Sequence, residues 1–175
     1  MKRVGLVIMV LCMCHMVFSQ ETVTEKPEAR NEIKVNLLMT VAFKSPEINY
    51  EHIFSNNLGL GIAAAVALDN DNAFDLNYLF TPYCRFYFGS KPAKGFFIEG
   101  NMAFVGFKDE YYTYYSSYYE SRNDFGFGLG FAIGGKFINS NGFIGEFFGG
   151  LGSNIGSDSN SQFYPRIGVS IGKQF

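Results

Sequence analysis

Bulky apolar residues alternate with glycine, alanine and charged ones through eight stretches of this chain. A period of two marks β-strands whose two faces meet different surroundings. In Leu58–Leu68, the set Leu58, Leu60, Ile62, Val66 and Leu68 opposes Gly59, Gly61, Ala63, Ala65 and Ala67. In Phe125–Ile138, Phe125, Phe127, Leu129, Phe131 and Ile133 oppose Gly126, Gly128, Gly130, Ala132, Gly134 and Lys136. A soluble lipocalin-like barrel would have to pack the phenylalanine face into a bore far too narrow for it. It would also leave the glycine, alanine and charged face in water. The pattern instead predicts bulky side chains facing hydrocarbon and small or charged ones facing inward.

The other predicted strands are Ile33–Phe43, Glu47–Phe54, Phe74–Phe88, Phe96–Phe107, Phe143–Leu151 and Phe163–Phe175. Most have roughly the 9–11 residues that a tilted strand needs to cross a bilayer. Pro82 lies inside the fourth and predicts a bulge or local break there. The fold class expected is all-β: an eight-stranded antiparallel up-and-down transmembrane β-barrel, which closes every backbone hydrogen bond and leaves no edge. An even strand number puts both mature termini on the periplasmic side. The two longest connections, Lys108–Asp124 and Gly152–Gln162, then face outward, and the turns Ser55–Asn57, Gly89–Gly95 and Asn139–Gly142 face the periplasm.

Residues 1–20 read as a cleaved secretory signal peptide, with Lys2 and Arg3 ahead of the apolar run Val4–Val17. That run is too short for a membrane-spanning helix. Cys12 and Cys14 do not follow small residues, as a lipoprotein signal would require. Residues 21–32 are polar, contain Pro27 and predict a flexible periplasmic lead-in before the barrel at 33–175. Removing the signal moves the net charge from −2 to about −4, which argues against nucleic acid as a partner. Cys84 and His52 are then the only cysteine and histidine, so neither a disulfide framework nor a cysteine or histidine metal site is expected, and no cofactor.

The inward positions carry Lys34, Arg85, Lys136 and Arg166 against Glu51, Asp75, Glu99 and Glu146. Counting back from the Gly89–Gly95 turn places Arg85 across from Glu99. The Asn139–Gly142 turn places Lys136 opposite or diagonal to Glu146, and Lys34 and Glu51 lie at similar heights. An eight-stranded bore is just wide enough for side chains to fill it, and buried charges need partners. The favoured reading is therefore a filled, salt-bridged interior; the alternative is a narrow pore or small-solute site. A lipid-modifying enzyme would need a histidine beside a serine, with a carboxylate to orient it. His52 falls instead on the lipid-facing set with Tyr50 and Phe54, so no catalytic residues are assigned. Glycine runs such as Gly126–Gly130 lie mid-strand and read as barrel packing, not nucleotide loops.

Tyr111, Tyr112, Tyr114, Tyr115, Tyr118 and Tyr119 crowd the longest outer connection. They read either as a contact surface for glycan, lipopolysaccharide or protein, or as extensions of the fifth and sixth strands that include an aromatic girdle.

The segments Glu32–Leu38, Pro46–Glu51, Thr81–Phe88, Gly134–Lys136 and Pro165–Phe175 resemble a family of small eight-stranded outer-membrane β-barrels of unknown function from Gram-negative bacteria. The resemblance implies the same barrel and no activity. Phe175 also resembles the C-terminal signal read by the outer-membrane assembly machinery, with Ile167, Val169 and Ile171 on its face and Lys173 interrupting them. The sequence thus predicts a monomeric, non-enzymatic outer-membrane protein. Its expected partners are membrane lipid, lipopolysaccharide and the assembly machinery, with glycan or protein meeting the outer loops.

Overall fold

A computed structural model describes residues 30–68, 76–89, 92–113, 118–155 and 163–175, with the side chains of 76, 107–113 and 118–124 excepted. The signal, most of the lead-in, Asp75, Tyr114 and Tyr115 lie outside the described residues. The elements are β1 (Asn31–Asn36), α1 (Leu37–Ala42), β2 (Glu47–Ile53), β3 (Leu58–Val66), β4 (Leu76–Tyr87), β5 (Gly95–Thr113), β6 (Tyr118–Ile138), β7 (Phe143–Ile155) and β8 (Phe163–Gln174). Each strand pairs antiparallel with the next, and β8 returns to β1 to close an eight-stranded barrel. Asn31 and Phe175 exchange backbone hydrogen bonds of 3.0 and 2.8 Å, so the barrel begins and ends at one rim.

The faces follow the two-residue period. Ile48, Leu60, Phe80, Phe131, Phe147 and Val169 stand outward and exposed, while Asn49, Gly59, Thr81, Ala132, Phe148 and Ser170 point into the bore. A continuous apolar belt of this kind is what hydrocarbon accepts and water does not. Glycine on the inward face lets the wall pack closely. A Cβ at Gly150 would lie 2.0 Å from the Phe131 carbonyl oxygen, whereas one at its outward neighbour Gly149 would meet nothing within 4 Å.

Several boundaries differ from those expected. The first strand starts at Asn31, so Asn31 and Glu32 belong to the barrel and not to the lead-in. It also stops at Asn36 instead of Phe43. There the Asn36 side chain accepts from the Met39 amide at 3.3 Å and the Thr40 hydroxyl donates to the Asn36 carbonyl at 2.7 Å. This N-cap starts a six-residue helix on Leu37-Leu38-Met39, good helix formers. Pro82 makes a local break and not a bulge: its β3 partner is Ile62 in unbroken register, while Thr81 and Pro82 drop out of the β5 ladder, whose register shift lies between Leu76 and Tyr78. The expected outer loop Lys108–Asp124 is mostly strand, because β5 and β6 pair without interruption from Gly95–Lys136 to Thr113–Tyr118. Tyrosine and threonine favour such a ribbon. The next outer connection is also shorter than expected, since β7 runs on to Ile155.

These neighbouring glycines give a sharp test. Gly150→Ala should lower stability by about 1–3 kcal/mol through overpacking against backbone, and Gly149→Ala should leave it within about 0.5 kcal/mol. Urea unfolding of the two variants, followed by tyrosine fluorescence, checks the contrast.

Candidate functional site

The bore is layered, and the order can be read along β5 as Phe97, Glu99, Asn101, Ala103 and Val105. At the rim holding the chain ends, Ile53, Tyr87, Ala93, Phe97 and Phe148 form one apolar cluster. Ala93 reaches it from the β4–β5 turn by adopting a left-handed backbone (φ 47°), and its amide donates to the Asn56 carbonyl at 2.7 Å. Toward the far rim, Ala65, Leu79, Ala103, Val105 and Tyr164 form a second cluster. A belt of ionised side chains lies between them.

In that belt Lys34 donates to Glu51 at 2.6 Å and to Glu146 at 2.8 Å. Arg85 donates through Nε to Glu99 at 2.8 Å, and through Nη1 to Glu146 at 2.7 Å and Glu51 at 3.0 Å. Arg166 donates through Nε to the other Glu99 oxygen at 2.8 Å and through Nη1 to Glu47 at 3.2 Å. Lys136 contacts both oxygens of Glu32, at 2.8 and 3.0 Å. The Tyr87 hydroxyl donates to Glu51. Aromatic rings wall the cations, with Arg85 4.3 Å from the Phe97 centroid and 4.5 Å from Tyr83, Arg166 4.7 Å from Phe148, and Lys136 4.3 Å from Tyr87. Removed from water, these charges need both the opposite charge and the ring faces.

The structure thus brings together Lys34, Glu51, Arg85, Glu99, Lys136, Glu146 and Arg166, while Asp75 lies outside the described residues. Arg85 and Glu99 sit directly opposite each other, as counted from the turn. Lys136 and Glu146 are also cross-strand partners, yet their side chains part. Lys136 crosses the bore to Glu32, with Glu51 at 3.6 Å, and Glu146 takes Lys34 and Arg85 instead. Glu32 and Glu47 were not expected in the belt, although each shares the parity of an inward neighbour, Lys34 and Asn49 respectively. They bring the described carboxylates to five against four cations.

Tyr111, Tyr112, Tyr118 and Tyr119 lie on the paired backbone of the β5–β6 ribbon, and their side chains are outside the described set. His52 is half-buried at the wall, its Nδ1 2.9 Å from Asn31 Oδ1 and its ring edge-on to Phe54. Phe175 is exposed at the closing rim, and the Lys173 ammonium reaches the Asn141 carbonyl while sitting 4.3 Å from the Phe143 ring centroid. Among the described residues, no three His, Cys, Asp or Glu converge as metal ligands.

The barrel is similar to the N-terminal β-barrel domain of Pseudomonas aeruginosa OprF, with a TM-score of 0.54 and 12% identity over 84% of this chain and 98% of that one. No family model and no curated protein matches the chain. The likeness establishes a shared fold: a closed eight-stranded antiparallel barrel.

A double-mutant cycle distinguishes a network from separate pairs. Lys136→Met alone should cost about 3–5 kcal/mol by leaving the buried Glu32 with only Lys34, 3.4 Å away, as a cation partner. Adding Glu32→Gln should recover most of that loss. Arg85→Met with Glu99→Gln should recover little, because Arg166 and Glu146 each lose a partner. Equal recovery in both cycles, measured by chemical unfolding in vesicles, would count against the network.

Proposed function

We propose that this protein is an outer-membrane β-barrel, exported through a cleaved signal peptide, with both termini in the periplasm and its bore closed. Its role is structural or surface contact, exercised through the β5–β6 ribbon and the 156–162 connection, and not enzymatic. The observation that carries this reading is the belt: ion pairs and aromatic rings fill the bore between two apolar clusters. The outward apolar belt and the likeness to an outer-membrane barrel domain support the location. The tyrosines at 111–119 give the ribbon the composition of a contact surface for glycan, lipopolysaccharide or protein. His52, the one histidine after the proposed signal, pairs with Asn31 rather than with a serine or carboxylate, which supports the non-enzymatic reading.

A narrow conduit is the second reading. It is favoured by Arg85 Nη2, Arg166 Nη2 and the Tyr83 hydroxyl, buried groups with no hydrogen-bond partner among the described residues. Water would satisfy them.

Planar-bilayer recording separates the two readings. The folded protein should give no stable unitary conductance, and steady single-channel steps that change size in Glu99→Gln would establish the conduit instead. Orientation has its own measurement. An epitope inserted between Ser116 and Ser117 should be labelled by antibody on intact cells, and the same epitope ahead of Asn31 only after permeabilisation.

A further inference from the structure

The barrel wall is uneven. β1 has six residues and β2 seven, against the roughly 9–11 that a tilted strand needs to cross hydrocarbon. The β1–β8 ladder ends at the Asn36–Ser170 pair, while β8 continues to Phe163 with β7 as its strand partner on the other side. From there to the far rim, α1 completes the wall.

The sequence is fitted to that seam. Asn31 and Phe175 bond to each other through their backbones, so the two-residue period aims the backbone N–H and C=O groups of odd-numbered β8 residues toward β1. Along the seam these include Ile167, whose carbonyl takes a 3.1 Å bond from the Asn36 side chain. They also include Pro165, which has no N–H to leave unpaired and is found in sheets where a ladder is missing. On α1, Val41 is 78% exposed on the outside and Met39 is 3% exposed. Among the described residues, the Asn36–Ile167 hydrogen bond and packing close the seam.

Behind the seam lies the far-rim cluster of Ala65, Leu79, Ala103, Val105 and Tyr164. The Tyr164 ring rests on glycines, since Cβ atoms at Gly128, Gly130 and Gly152 would fall 2.6, 2.7 and 2.0 Å from its atoms. A single 2.7 Å hydrogen bond from its hydroxyl to Asn101 holds it there. Swung aside, the ring would leave a glycine-floored slot one ring thick, about the width of a polymethylene chain. Below it the charge belt blocks the bore.

We propose that the far half of the bore is a dead-end pouch for one acyl chain of a membrane lipid, admitted sideways between α1 and β8 with Tyr164 as the displaceable floor. The occupant follows from the surroundings. The seam is flanked by exposed Leu37, Val41, Val169 and Phe163, so hydrocarbon bathes it, and the pouch is walled by Ala65, Leu79, Ala103 and Val105, with the Asn101 and Asn154 side chains as the polar groups beside the Tyr164 ring. The proposal rests on the reading that the barrel spans a membrane.

The test uses phosphatidylcholine vesicles doped with a phospholipid carrying a diazirine on its acyl chain, irradiated and mapped by peptide mass spectrometry. Adducts are expected on outward residues such as Phe80 and Val169 and also on inward Leu79, Val105 or Tyr164. Asn36→Ala removes the bond to Ile167 together with the Met39 cap and the contact to Glu47, and should raise the inward share at least about fivefold, the shift that loss of even one hydrogen bond of ordinary net strength permits. Gly128→Val, which fills the slot, should abolish inward adducts, its outward adducts showing that the barrel still inserts. Outward adducts alone in both the unmodified protein and Asn36→Ala would overturn the pouch. So would inward adducts indifferent to Asn36→Ala, since the chain would then arrive through the open rim. An absence of adducts anywhere would overturn the membrane reading as well.

Discussion

Closing the circle between the first and last strands is the constraint on which the rest of this barrel depends. The closing ladder uses only Asn31–Asn36 of β1, while the β5–β6 ladder runs from Gly95 to Thr113. So short a seam is a weak place to hold a cylinder shut, and the interior chemistry converges on it. Glu32 and Lys34 both sit on β1, and their partners lie on β6, β7 and β2. Arg166 on β8 reaches Glu47 on β2, spanning the joint from the other side. The belt therefore fills the bore and also ties the two chain ends to the strands around them.

Buried ion pairs add little net stability over apolar packing, because desolvation offsets most of the attraction. What they discriminate well is position. A one-residue slip of β1 would turn Glu32 and Lys34 into the hydrocarbon and bring Ile33 and Val35 inward, where no partner suits them. A two-residue slip would keep the faces but move Lys34 away from Glu51 and Glu146. A charged belt thus penalises wrong registers far more than an alanine and valine interior would. That specificity matters most for the strand pair that must find each other from opposite ends of the chain.

The faces of the wall were legible in the sequence because a period of two survives any uncertainty about where a strand ends. Strand ends were less legible. Leu37, Met39 and Val41 continue the alternation of Ile33 and Val35, so periodicity alone cannot report that Asn36 caps a helix there. The cue is local: an asparagine before Leu-Leu-Met, with a threonine four residues on. Glu32 was missed because a polar lead-in hid its parity with Lys34, and Glu47 because it sits at the edge of a turn. Lys136 shows a different limit. Its cross-strand partner follows from counting, but in so narrow a bore a long side chain reaches strands that are not its neighbours, and shear decides which. A likeness to another barrel at 12% identity fits the same picture, since the pattern of faces specifies this fold more than particular residues do.

The layering also says where function can reside. Along β5 the bore passes from Phe97 to Glu99 and Asn101, then to Ala103 and Val105, each step about 7 Å along the strand. A solute crossing it would have to break apart a network in which Glu51 meets three cations and Glu99 and Glu146 two each. Freeing one group leaves several others without compensation, so opening is cooperative and expensive. Among the described residues, the far half has no such lock. Its residues are small, its largest ring is held by one hydrogen bond, and its wall is finished by a helix instead of a ladder. A barrel sealed at one level and closed by a helix at another resists opening unevenly, most at the charged belt and least at the seam.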